Sequence, residues 1–414
     1  MSFDAVFREY DMREESVRKT LPNTPYAFVN GTLERTNSLL LRWLSVYREF
    51  AKGYSQELLT RTSYYVIRWL SSAGDIVEKK LREIFDAKMP LEAYILLKDF
   101  CTNIGYADIN FVLAEGSYFE QSSVYSELSE TLSSLSSPRS ATASSRIQFI
   151  LKEIQKKDIF IVYYERGQFN NVLCWPLLLH EVFHPIYDME NLHRLSKNCP
   201  PVSWLNEALI DLYITNFFGP AYAISLASYI QRFPSEVSIS HPSFSSRIFI
   251  ALRYLTKLQN ESQLPAPISS QLSDVFLYLQ NIWDKHRTIN AKDVQDSVET
   301  IFDNTEEDIK RIIAEKKTTP FVDFLLETEK KRKKAFKSTD ADFIEKETPS
   351  ISDVVEYFRH GIPIAADPRI LFNAFMSRAY QEMAIRPALN IFITESLKKW
   401  HIKNAWLKAQ KSRL

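Results

Sequence analysis

The sequence is short of glycine and cysteine and carries no excess charge of either sign, and each shortage excludes a class of protein. Eight glycines are spread over 414 residues, no two closer than eleven positions. A P-loop (GxxxxGK) and a dinucleotide fingerprint (GxGxxG) both need clustered glycines, because backbone must approach phosphate closely. Neither pattern is present. The three cysteines, Cys101, Cys174 and Cys199, are an odd number with no CxxC pair. That argues against a disulfide framework or a thiolate zinc ribbon and for a reducing compartment. The 51 basic residues balance 51 acidic ones, which removes the global pull toward phosphate or anionic lipid. No apolar run reaches the roughly eighteen residues of a membrane span. The first residues, MSFDAVFREYDMREESVRK, lack the apolar segment of a signal peptide. The expectation is a cytoplasmic protein with no membrane association.

What is present is 45% hydrophobic and 13% aromatic residues, enough for a chain of this length to bury two or three domain cores. Between residues 32 and 103 apolar side chains recur at helical spacing, as in Leu39, Leu40, Trp43, Leu44 and Tyr47. Two β-branched and aromatic runs, 109–113 and 159–164, read as strands. Between them residues 117–145 hold twelve serines, a composition that buries little surface and is expected to form a loop without secondary structure. Helical periodicity returns beyond Ile250, with a charged helix near 306–317. Asp367 and Pro368 have the form of an N-cap and a first-turn proline, and a last helix covers 389–407. The expected organisation is a helical N-terminal region (1–104), an α+β core (105–255) with its serine-rich loop, and a helical C-terminal region (256–414). The fold class is α+β and predominantly helical.

Residues 172–188 read VLCWPLLLHEVFHPIYD. HExxH puts His180 and His184 one turn apart on one helix face, where both can bind one ion, and leaves Glu181 within reach of a water on that ion. Burying two imidazoles and a carboxylate among leucines costs several kcal/mol unless they are satisfied. A metal satisfies them. Further on, SWLNEALIDLYITNFFGP (203–220) reads as a second helix, with Ser203 as N-cap and Gly219-Pro220 as its stop. Glu207 and Asp211 share one face of this apolar helix. Glu207 can supply a third ligand, leaving a fourth position open. Asp211 can fix a ligating histidine through its far nitrogen, or instead pair with Arg247.

HExxH, a spacer of 22 residues and ExxxD together resemble the gluzincin zinc metallopeptidases over roughly 149–250. NEALIDLYITNFFGPAYA looks like the second-helix segment of bacterial proteins with zinc-peptidase cores. HPSFSSRI (241–248) is similar to a histidine-proline-to-arginine segment of membrane-associated gluzincins. The resemblance implies a zincin-like core flanked by helical regions and one Zn2+ per chain on His180, His184 and Glu207. It also implies Glu181 as general base, Asp211 orienting a ligand histidine, and His241 or Arg247 stabilising an oxyanion. A peptide or protein substrate would lie extended against the strand near Ile161. Pro185, next to the second histidine, departs from the pattern and is expected to kink or end its helix.

Two other readings accompany the peptidase. One is a non-catalytic interaction protein in which the metal is a folding element. The other is nucleic-acid binding through the basic runs KKRKKAFK, from Lys330, and Lys398 to Arg413, the latter interleaved with tryptophans. A solvated helix face with buried tryptophans explains those runs better, so there is no strong case for nucleic acid. His193 reads as a loop residue and Cys174 as core. The sequence leaves oligomeric state and substrate open.

Overall fold

The computed structural model describes residues 91–109, 111–116, 119–123, 160–165, 167–168, 171–189, 202–230, 242–261, 266–286, 306–316, 318–335, 349–375 and 383–411. The chain divides into two compact units, one of Met1–Leu91 with Ile109–Arg166 and one of Glu92–Asp108 with Gly167–Leu414. The expected helices before residue 91, His193, His241, Cys199 and most of the serine-rich segment lie outside the described residues.

In the first unit, strands β1 (Phe111–Gly116), β2 (Glu120–Ser123) and β3 (Phe160–Glu165) form one sheet in the order β1-β3-β2. β3 is central: it pairs parallel with β1, Phe111 opposite Phe160, and antiparallel with β2, Glu120 opposite Tyr163. Its FIVYYE sequence is apolar at successive positions, and Ile161, Val162, Tyr163 and Tyr164 are all buried. A strand covered on both faces carries such a continuous apolar run. β2 corrects the expectation of no secondary structure in the serine-rich segment, since an edge strand needs only backbone pairing with β3 and little apolar surface of its own.

The second unit is helical. Its elements are α1 (Leu91–Asn103), α2 (Leu177–Met189), α3 (Val202–Phe218), α4 (Pro220–Ile230), α5 (Phe244–Glu261), α6 (Ala266–His286), α7 (306–316), α8 (Phe321–Ala335), α9 (Ile351–Arg359), α10 (Pro368–Asn373) and α11 (Arg386–Lys411). α3 is central, packed by α2, α4, α5 and α8. From Glu207 to Phe218 every residue of it is buried, as expected of a helix apolar all round. Phe183 of α2 lies against Tyr213 of α3 (ring centroids 4.3 Å apart), and Tyr213 against Phe217 (4.4 Å). The Phe183–Tyr213 contact joins the two motif-bearing helices.

α3 begins at Val202, so Ser203 falls inside its first turn and is not the cap that the sequence suggested. α10 is capped as expected, with Asp367 accepting from the Arg369 amide and Pro368 in the first turn, but it closes at Asn373. Pro185 does not end α2, which runs on to Met189. A mid-helix proline costs about 3 kcal/mol through the lost bond to the Glu181 carbonyl. Ile186 and Tyr187 beyond it are 0% and 3% exposed, and burial of two such side chains, about 1.5–3 kcal/mol each, offsets that cost. Among the described residues no helix is long and apolar enough to cross a membrane.

Candidate metal centre

The sequence motifs on α2 and α3 meet in space. His180 Nε2 lies 2.9 Å from Glu207 Oε2 and 3.1 Å from His184 Nε2, and His184 Nε2 lies 3.5 Å from Glu207 Oε1. Tetrahedral zinc with bonds of about 2.0–2.2 Å separates its ligand atoms by roughly 3.3 Å. The two histidines face different oxygens of Glu207, and with one ligand atom from each residue the three lie within 4.8 Å of one another, a group able to hold a metal ion. His180 and Glu207 are buried, while the His184 side chain is 27% exposed and Glu181 half-buried. Solvent therefore reaches the cluster from the α2 side.

The donor chemistry also calls for a cation. His180 Nδ1 is 3.0 Å from Asp211 Oδ1, so that nitrogen carries the proton and donates. A neutral ring then presents its Nε2 lone pair to the Glu207 carboxylate, which is acceptor against acceptor. A proton or a metal ion between them resolves the conflict. By the protein's own charges it is a proton: burial alone would lower the His180 pKa, but Glu207 and Asp211 on its two nitrogens raise it to about 10. In turn, burial would raise the Glu207 carboxyl, but His180, then Arg247 and His184, bring it down to about 2. An ion carrying positive charge meets the same demand, and two imidazole nitrogens with one carboxylate suit zinc.

Asp211 is the most heavily used acceptor of the group. Arg247 Nε donates to its Oδ2 at 2.5 Å and Arg247 Nη2 to its Oδ1 at 2.7 Å, and the Tyr222 hydroxyl also donates to Oδ1. Asp211 makes both contacts at once, with His180 Nδ1 and with Arg247. Burial opposes the Asp211 charge, but Arg247 overrides it and holds the carboxyl well below its usual range. The same partnership raises the Arg247 pKa against the effect of burial. Arg247 Nη2 also stands 3.2 and 3.4 Å from the two His180 ring nitrogens and 3.7 Å from Glu207 Oε2.

Local sequence sets each position. Glu207 and Asp211 share a face of α3 through their spacing of four, and Thr215 one turn on donates to the Asp211 carbonyl at 2.7 Å. Arg247 sits in the first turn of α5, whose start is stapled by Ser243 Oγ accepting from the Ser246 amide at 3.1 Å. Tyr222 had no sequence signal beyond being one tyrosine among twenty. It lies on α4, past the Gly219-Pro220 break, and no helical period links it to Asp211. Cys174 is core, as read, and its sulfur takes a bond from Asn171 Nδ2 at 3.0 Å. Compared with known protein families, curated proteins and solved structures, the chain finds no match.

Proposed function

We propose that the chain is a zinc-dependent peptidase of zincin-like design. The observation that supports this reading is the convergence of His180 Nε2, His184 Nε2 and the Glu207 carboxylate, whose Oε2 lies 2.9 Å from His180 and whose Oε1 lies 3.5 Å from His184, with Glu181 next to His180 on the same helix. A bound zinc ion would polarise the scissile carbonyl and make a water more acidic. Glu181 takes the proton from the attacking water and passes it to the leaving amine. Asp211 holds the His180 ring and its Nδ1 proton in place. Arg247 keeps Asp211 ionised, and its Nη2, close to both buried ligands, is one candidate for stabilising the oxyanion; His241, preceding α5, is the other.

Glu181→Gln keeps the shape of the side chain and removes the base. It is expected to retain zinc while lowering hydrolysis of a fluorogenic peptide library by about 10²–10⁴-fold. Full activity in that variant would refute the mechanism.

The burial of His180, Glu207 and Asp211 favours a second reading, in which the metal is a folding element in a non-catalytic interaction protein. Water exchange separates the two. A peptidase keeps an exchangeable water on the ion, and a structural site closes it off with a fourth protein ligand.

A further inference from the structure

Three helices send donors to one oxygen, Asp211 Oδ1. His180 Nδ1 comes from α2 at 3.0 Å, Arg247 Nη2 from α5 at 2.7 Å, and the Tyr222 hydroxyl from α4. The Tyr222 hydroxyl also stands 3.2 Å from His180 Nδ1. The tyrosine is 0% exposed, and its hydroxyl points at the pair that orients the metal ligand. We infer that Tyr222 is a positioning residue of the metal centre, setting the orientation of His180 through Asp211. The inference rests on the zinc reading above and adds to it a residue that the HExxH and ExxxD motifs do not contain.

The backbone around Tyr222 is built to hold it. α3 ends and α4 begins at one corner, Gly219-Pro220, with no linker between them. Gly219 has φ +89°, and a Cβ there would stand 2.7 Å from the Phe321 ring, so both conformation and space demand glycine. Asn373, at the end of α10, pins the corner from outside. Its Nδ2 donates to the Phe218 carbonyl at 2.7 Å and its Oδ1 accepts from the Ala221 amide at 2.8 Å. One side chain thus satisfies the last turn of α3 and the first turn of α4. Ser225, one turn past Ala221, donates to the Leu173 carbonyl at 2.6 Å and ties α4 to the segment preceding α2. Tyr222 stands between these fixed points, and its ring has two torsions to order.

The need for a third donor follows from the guanidinium. Arg247 grips both Asp211 oxygens with its fork, the strongest geometry a carboxylate finds in a protein. The fork ties the Asp211 carboxylate to α5 alone, while His180 meets Oδ1 from α2. The phenol, coming from a different helix, fixes that oxygen where His180 Nδ1 needs it, keeps the proton on Nδ1 and leaves Nε2 for the ion. Outer partners of this kind typically change metal affinity by about 10–100-fold when removed.

The test uses the full-length chain, with zinc affinity measured by competition against a chromophoric chelator and ligand geometry by the visible absorption of the cobalt(II)-loaded protein. Tyr222→Phe keeps the ring and deletes the hydroxyl. The expected results are zinc binding weaker by about 10–100-fold and a shifted cobalt spectrum. A second arm shows whether the effect passes through Asp211. In the double variant Tyr222→Phe/Asp211→Asn, zinc affinity should be no lower than in Asp211→Asn alone, because coupled residues are not additive. Zinc affinity within about twofold of wild type in Tyr222→Phe, or full additivity in the double variant, would overturn the inference and leave the zinc reading intact. If the wild-type chain takes up neither zinc nor cobalt, the zinc reading itself fails, and the inference with it.

Discussion

The Tyr187 hydroxyl donates to Asn206 Oδ1, joining α2 to α3 at the residues beside His184 and Glu207. Tyr187 lies three positions after the second histidine and Asn206 immediately before the glutamate, so this bond sets the approach of the two helices at the more exposed edge of the site. Tyr187→Phe is expected to lower stability by about 1 kcal/mol, the usual worth of such a bond. It should also weaken zinc uptake. Urea unfolding and chelator competition check both, and an unchanged pair of values would show that the bond holds nothing in place.

Arg247 and Asp211 are 7% and 0% exposed at their side chains, so removing Arg247 leaves the buried Asp211 carboxylate without its guanidinium, held only by His180 and Tyr222. Arg247→Met should destabilise the protein by about 3–5 kcal/mol. Adding Asp211→Asn should restore part of that loss, because the orphaned charge disappears. The measurement is a double-mutant cycle in urea, and strictly additive losses would contradict a paired role.

Zinc that binds only the folded chain adds stability according to its concentration. At about 100 times its dissociation constant the gain is about 2.7 kcal/mol. Stripping with a chelator should therefore lower the melting temperature, and zinc should restore it. Elemental analysis should find about one zinc per chain in the wild type and less in His180→Ala and Glu207→Ala. An unaltered melting curve together with no zinc in the wild type would leave the cluster a buried polar network.

Away from the site, Asp99 on α1 accepts from Trp400 Nε1 of α11 at 3.2 Å and from Asn103 at 2.9 Å, near Asp367 and Arg369. Burial, then the neighbouring Asp367, raises its carboxyl from 3.8 to about 7, against the pull of Trp400, Arg369 and Asn103. Between those values the folded protein holds a proton that the unfolded chain has lost. This group's contribution to stability therefore falls as pH rises from about 4 to about 7 and is level above that. Asp99→Asn removes the slope, so the variant should gain on wild type as pH rises through that interval. Parallel urea-stability profiles for the two proteins would contradict the shift.

The cluster of His180, His184, Glu207 and Asp211 was legible because its parts obey helical spacing: four positions from His180 to His184 and four from Glu207 to Asp211 place each pair on one face. The Asp211–Arg247 pair was legible as one of two readings, and the structure contains both contacts. The α10 cap was legible because Asp-Pro is a local signal. Tyr222 and Asn373 were not, since each acts across a break in periodicity on a partner that only the fold brings near. Pro185 was read as a kink or an end because the cost of a proline is local, while the burial of Ile186 and Tyr187 that offsets it is tertiary. β2 escaped notice because backbone pairing leaves no mark on composition.

The corner at Gly219-Pro220 waits on a residue made much later. Asn373 lies 155 positions after Phe218 and 152 after Ala221. While the chain is being synthesised, both motif helices leave the ribosome well before the side chain that staples α3 to α4. The α3–α4 corner that carries Tyr222 is therefore completed late in biosynthesis, and a nascent chain that ends before α10 holds His180, His184 and Glu207 without the side chain that pins that corner.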